Sequence, residues 1–298
     1  MKRILNFGSL NTDYVYKVDH ILQGGETIQS ESRTVFPGGK GLNQSVALAK
    51  AGMQVYHAGM IGPDGGMLKQ RLEECGVHTE YLATAQVESG HALIQVDKQG
   101  RNCIICYGGA NHAITTPYID SVLAHFSKGD YLLIQNEISN VPYAMQQAAN
   151  RGMQVVFNPS PITPQLKTYP LEAVNCFLVN ETEGEALTGE RDYEAILAGL
   201  HARYPKALIV LTVGANGVLC RQGETVYRHG VYTVPVVDTT AAGDTFCGYF
   251  IACIAQGQPV AQALETASAA SALSVSRPGA SSSIPQREEV EAFLKKKI

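Results

Sequence analysis

No uninterrupted apolar stretch in this 298-residue chain approaches the ~20 residues that a membrane-spanning helix needs. The first apolar run, Ile4, Leu5 and Phe7, begins almost at once, without the longer hydrophobic segment of a secretion signal, so a cytoplasmic location is expected. Basic residues are not in excess: lysine and arginine total 23 against 27 acidic residues, a net charge of -4, and no basic and aromatic track is clustered anywhere. No nucleic acid and no membrane is therefore expected as a partner, although nearby charges can still hold a phosphate locally. Cysteines are scattered and odd in number. The one close pair, Cys103 and Cys106, would turn to opposite faces of a strand, which suits neither a disulfide nor a shared metal. Buried or partly buried free thiols are the expectation. Internal repeats and long low-complexity linkers are also lacking.

What is present is the composition of a well-packed globular protein, 45% hydrophobic and 17% charged, long enough for one large domain with a smaller appendage. Arg3 to Phe7 reads as a first strand, Gln44 to Ala51 as a helix and Gln54 to Ala58 as the next strand. Leu68, Leu72 and Cys75 recur at helical spacing before Gly76. Tyr131 to Ile134, Gln154 to Phe157, Cys176 to Val179 and Leu208 to Val213 are short, apolar and rich in β-branched residues, as buried parallel strands are. Helical patterns at Val141 to Asn150 and Tyr193 to Ala202 fall between them, so an α/β fold is expected: three layers, with a largely parallel sheet between helices. Thr12 to Val18, Thr27 to Phe36, His91 to Val96 and Asn102 to Tyr107 mix polar and strand-forming residues. They predict a small second sheet with one solvated face over about 12–36 and 88–107, either a lid over a cleft or an ordinary surface sheet. Asp244 to Ala255, Val260 to Leu273 and Arg287 to Leu294 read as closing helices.

The strongest chemical signal is Asp238-Thr239-Thr240-Ala241-Ala242-Gly243-Asp244-Thr245-Phe246. A strand ending near Val237 would turn through small residues into a helix, where backbone N–H groups can approach a phosphate. Asp244 near that end either caps the helix or removes a proton while the dipoles stabilise phosphoryl charge. A second motif, Gly38-Gly39-Lys40-Gly41-Leu42-Asn43-Gln44, permits close backbone approach and offers a mobile cation and an amide, suited to a polyhydroxylated ligand; it lacks the spacing of a Walker A loop. Asn11 and Asp13, at alternate positions after the first strand, either close a turn or face one pocket together. Asn180-Glu181-Thr182-Glu183 reads as a polar helix start, and Thr212-Val213-Gly214-Ala215-Asn216-Gly217-Val218 as a glycine-containing strand end.

These motifs, in this order from Gly8 to Ser283, resemble the ribokinase family of carbohydrate kinases, and Tyr107-Gly108-Gly109-Ala110-Asn111 adds to the likeness. The resemblance implies a single kinase domain over 1–298. It implies ATP-dependent phosphorylation of a small sugar, D-ribose at O5, with Asp244 as general base and Ala241, Ala242 and Gly243 as an anion hole. Asn11, Asp13, Gly39, Lys40, Asn43 and Glu137 would bind the sugar. Asn180, Thr212, Gly214 and Gly217 would face the nucleotide, and Glu183 would organise Mg²⁺ indirectly through its reluctantly released water. An activating K⁺ would sit among Asp238, Thr240, Ser274, Arg277, Gly279 and Ser283; Arg277 would offer its backbone oxygen, because its side chain has no acceptor. The resemblance further implies a homodimer through the lid sheet. Another sugar or nucleoside as acceptor, or a non-catalytic sugar- or nucleotide-binding regulator, are the rival readings.

Overall fold

The computed structural model describes residues 2–296. The chain opens with β1 (Ile4–Phe7), β2 (Asn11–Lys17) and β3 (Ser32–Gly38), then runs through α1 (Lys40–Lys50), β4 (Val55–Ile61), α2 (Gly66–Glu74) and β5 (His78–Thr84). Strands β6 (Gly90–Val96) and β7 (Asn102–Tyr107) precede α3 (Thr116–Leu123), β8 (Tyr131–Gln135), α4 (Val141–Asn150) and β9 (Gln154–Asn158). There follow β10 (Cys176–Asn180), α5 (Glu181–Thr188), α6 (Tyr193–Arg203), β11 (Leu208–Thr212) and the hairpin of β12 (Val218–Gln222) with β13 (Thr225–His229). Three helices close the chain: α7 (Ala242–Ala255), α8 (Val260–Val275) and α9 (Arg287–Lys295).

Nine strands form the main sheet in the order β13-β12-β11-β10-β9-β8-β1-β4-β5, parallel from β11 to β5 and antiparallel at the β12–β13 edge. The apolar strands supply both faces because successive side chains point oppositely. Tyr131 and Leu133 pack under α1, α7 and α8 in one core, while Leu132 and Ile134 pack against α3, α4 and α6 in another. This gives the expected three layers. Strand order reverses between β1 and β8, and a crevice at the carboxyl ends of strands at such a point is the natural ligand site of an open α/β sheet. The second sheet, β3-β2-β6-β7, leaves the first at the end of β1 and carries Asn11 and Asp13 on β2.

Several expectations need correction. No strand ends near Val237: residues 230–241 approach α7 without regular structure, and the amides of Val237 and Asp238 donate instead to the Val275 carbonyl. That stretch is rich in valine, as a strand would be, but the last residue of α8 takes up the two amides at its end. Helix α1 starts at Lys40, four residues before the predicted start, so Lys40 to Asn43 form its first turn. Of Thr27 to Phe36, only the part from Ser32 is strand, extended to Gly38 by pairing with β2. Cys103 and Cys106 are exposed, because β7 is an edge strand whose whole length is open. Strand β5, helix α3 and the β12–β13 hairpin had no sequence counterpart; their polar positions weaken the apolar patterns on which the reading depended.

Helices α1 and α7 cross closely, with Gly248 at the contact. A Cβ there would lie 2.4 Å from Ala47 Cβ and 2.9 Å from the Leu48 amide. Gly248→Ala should therefore cost about 1–3 kcal/mol by overpacking, read as a lower denaturant midpoint. An unchanged midpoint would mean that the two helices separate without penalty.

Candidate active site

Helix N-termini converge on the cleft at the ends of the parallel strands. Lys40 is the first residue of α1, Asn180 the N-cap of α5, and Gly243 and Asp244 lie in the first turn of α7. These residues, with Asn158, Glu183, Thr212, Thr240 and Phe246, line one cavity of about 120 Å³. Unsatisfied first-turn amides and the positive ends of the helix dipoles make such a place attractive to anions. Gly243 faces open space, whereas the Ala242 amide is occupied by the Thr239 carbonyl at 3.2 Å.

Asp244 is only 8% exposed. Asn43 Nδ2 donates to its Oδ2 at 3.0 Å and Gln44 Nε2 to its Oδ1 at 2.9 Å. Burial pushes its pKa above the ordinary aspartate value, opposed by the Lys40 charge and the two amide donors. Each oxygen thus accepts one protein hydrogen bond and keeps capacity for another. Asn43 is fixed by this contact while its own Oδ1 is buried without a protein donor, a position a ligand hydroxyl could satisfy.

Burial acts to lower the Lys40 pKa, but the carboxylates of Asp244, Glu137 and Glu183 outweigh it and hold the ammonium charged. Glu137, just after β8, accepts from the Ser9 hydroxyl and, at 3.3 Å, from the Lys40 amide. Burial raises its pKa. Asp13, 8% exposed, is pushed up to about 7 by burial and then by the charges of Glu137 and Asp244. Its carboxylate lies over Gly38, where a Cβ would come within 2.0 Å of Oδ2, and Gly39 turns the chain into α1 at φ 93°. Only glycine suits both positions. Asn11 is less free than expected: its Oδ1 accepts from Asn111 Nδ2 at 2.8 Å, and Asn111 also clamps both backbone groups of Leu10.

Asn180 and Glu183 form a reciprocal capping box, with Glu183 N donating to Asn180 Oδ1 at 2.9 Å and Asn180 N to Glu183 Oε2 at 3.0 Å. Burial raises the Glu183 pKa against those bonds. Among the described residues no cluster of three or more His, Cys, Asp or Glu side chains could cage a metal. Gly214 and Gly217 lie past the cavity in the turn from β11 to β12; Thr212, at the strand end, lines it. Asp238 takes the Thr240 amide and hydroxyl on one oxygen and the Gly279 amide on the other. Burial alone would raise its pKa, but these donors hold it below the usual range. Ser274 and Ser283 share a hydroxyl hydrogen bond at 2.9 Å, and the Arg277 amide donates to Ser274 O while its guanidinium pairs with Glu289 at 2.6 Å.

Sequence reasoning missed the polar floor beneath these groups: Asn6, Gln135 and Asn158, together with a structural part for Gln44. Each of the first three lies in or ends a parallel strand at the switch-point side of the sheet. A polar residue within or closing an apolar strand was the available signal.

The pfkB family carbohydrate kinase profile matches residues 1–287, and the chain belongs to that family. Its relatives include a ribokinase of Haemophilus influenzae, 35% identical over 98% of both chains, and one of Bacillus subtilis, 36% identical over 99% of this chain and 100% of that one. Among solved structures, ribokinase from Cryptococcus neoformans with ADP is 36% identical, with a TM-score of 0.87, covering 98% of this chain and 99% of that one. Arabidopsis thaliana ribokinase complexed with ribose and ATP is 28% identical, with a TM-score of 0.86 and 99% coverage of both chains.

The position of Asp13 has a cost in stability. Its folded pKa of about 7 exceeds the unfolded value of ~3.9, so between those values the folded state holds the extra proton and stability falls as pH rises. Asp13→Asn should melt higher than the unsubstituted protein at pH 8, with the advantage shrinking as pH drops from 7 to 4. A difference independent of pH would contradict the burial of that charge.

Proposed function

We propose that this chain transfers the γ-phosphoryl group of ATP to the O5 hydroxyl of D-ribose, with Asp244 as general base. The observation that supports this most is Asp244 itself: a buried carboxylate held by two amides, at a helix N-terminus that opens on the same cavity as Lys40 and Gly243. A proton acceptor beside an anion-attracting helix end is the pairing that phosphoryl transfer to a hydroxyl requires.

Asp13, Asn43 and Glu137, with Asn11, Gly39 and Lys40, would receive the sugar between the main sheet and the β2–β6 lid, within a single kinase domain spanning the chain. Ribose fits that set of acceptors and donors, and the ribokinase relatives support it over other sugars. Asn180, Thr212, Gly214 and Gly217 would face the nucleotide, and the amides of Ala241 and Gly243 the transferring phosphoryl group; that of Ala242 would join them only on leaving the Thr239 carbonyl. Mg²⁺ would neutralise phosphate charge, with Glu183 ordering its water from behind the Asn180 cap. Catalysis would come from alignment and electrostatics without a covalent enzyme intermediate. A cytoplasmic location is part of this reading.

Asp244→Asn should keep ATP affinity yet lose at least ~10²-fold in kcat with ribose, the range for a general base. Assays against pentoses, hexoses and nucleosides in parallel test the acceptor; near-normal turnover by the variant would remove Asp244 from the chemistry.

The monovalent-cation site fits the oxygens gathered by Asp238, Thr240 and the loop from Ser274 to Ser283. At constant ionic strength, turnover should be faster in KCl than with a bulky organic cation. Equal rates would leave that loop without an ionic role.

The homodimer draws support from β6 and β7, which expose Leu93, Ile104, Ile105 and Tyr107 on a sheet with an open edge. Sedimentation should give twice the chain mass; a monomer mass at every concentration would discard it.

A further inference from the structure

We propose that Gln44 is a positioning residue for the base, holding Asp244 through an amide that is itself locked by Gln135. This inference rests on the kinase reading above. Gln44 is buried, and its two amide atoms have separate tasks. Nε2 donates to Asp244 Oδ1 at 2.9 Å and to Asn158 Oδ1 at 3.2 Å. Oε1 accepts from Gln135 Nε2 at 2.7 Å.

The direction of that amide is dictated from behind. Gln135 Nε2 also donates to Asn6 Oδ1 at 3.0 Å, and Asn6 Nδ2 donates to the Gly41 carbonyl at 2.7 Å and to Ser45 Oγ at 2.8 Å. The Gly41 carbonyl can only accept, so Asn6 must turn its nitrogen toward it and its oxygen toward Gln135. Gln135 must then present its nitrogen to both Asn6 and Gln44, and Gln44 is left with its nitrogen toward Asp244. A flipped Gln44 would set oxygen against carboxylate and nitrogen against nitrogen.

The same amide reaches the nucleotide side. Asn158, the second acceptor of Gln44 Nε2, donates to the Leu178 carbonyl at 2.9 Å and lies 3.5 Å from Glu183 Oε2. Gln44 therefore ties the base to the strand ends that carry the α5 cap. Gln44 is not among the residues that line the cavity, so it would act through the side chains it holds, Asp244 first among them.

The groups facing Asp244 are Lys40 and Asn43 from α1 (the helix of Gln44), Asp13 from β2, Glu137 after β8, Glu183 from α5 and Cys247 one turn along α7. Lys40 is the cation among them. With three other carboxyl groups nearby, loss of one N–H donor moves the base toward its protonated form.

The test compares Gln44→Met, similar in volume but without a donor, with the unsubstituted protein, using ribose, ATP and Mg²⁺. Expected is a roughly 10- to 100-fold fall in kcat, the size of one hydrogen bond to a charged group, with both KM values within about threefold. The acidic limb of the kcat–pH profile should move up by about one pH unit. An unchanged kcat and limb overturn the proposal, as does a kcat loss with an unmoved limb, which marks a merely structural residue. If Gln44→Met does not fold, Gln135→Met releases the Gln44 amide and should shift the limb in the same direction; an unmoved limb there overturns the proposal. Loss of turnover in Asp244→Asn without any effect in either glutamine variant removes this inference alone, whereas no turnover by the unsubstituted protein removes the kinase reading and this with it.

Discussion

An almost fully buried carboxyl group, Asp244, is the constraint around which this site is arranged. An isolated buried charge costs several kcal/mol, and Asp244 meets that cost from several sources. It lies in the first turn of α7, where the helix dipole favours negative charge. Asn43 and Gln44 give it one N–H each, and Lys40 provides a nearby cation. All three come from α1, so the close α1–α7 crossing at Gly248 is a requirement of the site as much as of the core. The residues that compensate the charge also leave each oxygen able to accept a further hydrogen bond.

The sheet determines where this compensation can happen. At the reversal between β1 and β8, Asn6 and Gln135 bring polar side chains under α1, and Asn158 does the same at the end of β9. With Gln44 between Gln135 and Asn158, these amides form a directed chain. Above this floor, Glu137 and Glu183 join Asp244 around the ammonium of Lys40, Asp13 lies within reach of the charges of Glu137 and Asp244, and burial raises the pKa of all four carboxyl groups. Such a set is poised to give up its strain to a ligand that donates several hydroxyls. Stability is lower for it, as expected where function places charge in a dry site.

Much of this was legible from the chain. The apolar strands from Tyr131 onward are evident because a parallel strand buried on both faces must be apolar throughout, and the small residues before Asp244 mark a helix start. Gly38 and Gly39 are legible because no other residue allows Asp13 and the turn into α1 to coexist. The floor was not legible. Asn6, Gln135 and Asn158 are ordinary polar residues in sequence, and their meaning appears only when non-consecutive strands become neighbours. The segment before α7 misled for a similar reason: its amides go to Val275, thirty-odd residues away, and no local pattern records that. The occupation of Asn11 by Asn111 is likewise a contact between distant segments.

The central claim is that Asp244 accepts the proton of the sugar's primary hydroxyl at the moment of phosphoryl transfer. A crystal structure with D-ribose and a non-hydrolysable ATP analogue tests it most directly. The account predicts O5 within about 3 Å of an Asp244 oxygen and in line with the γ-phosphorus, with Gln44 still bonded to the other side of the carboxylate. A bound ribose whose O5 turns away from Asp244, with another side chain or only solvent in reach of its proton, would contradict it.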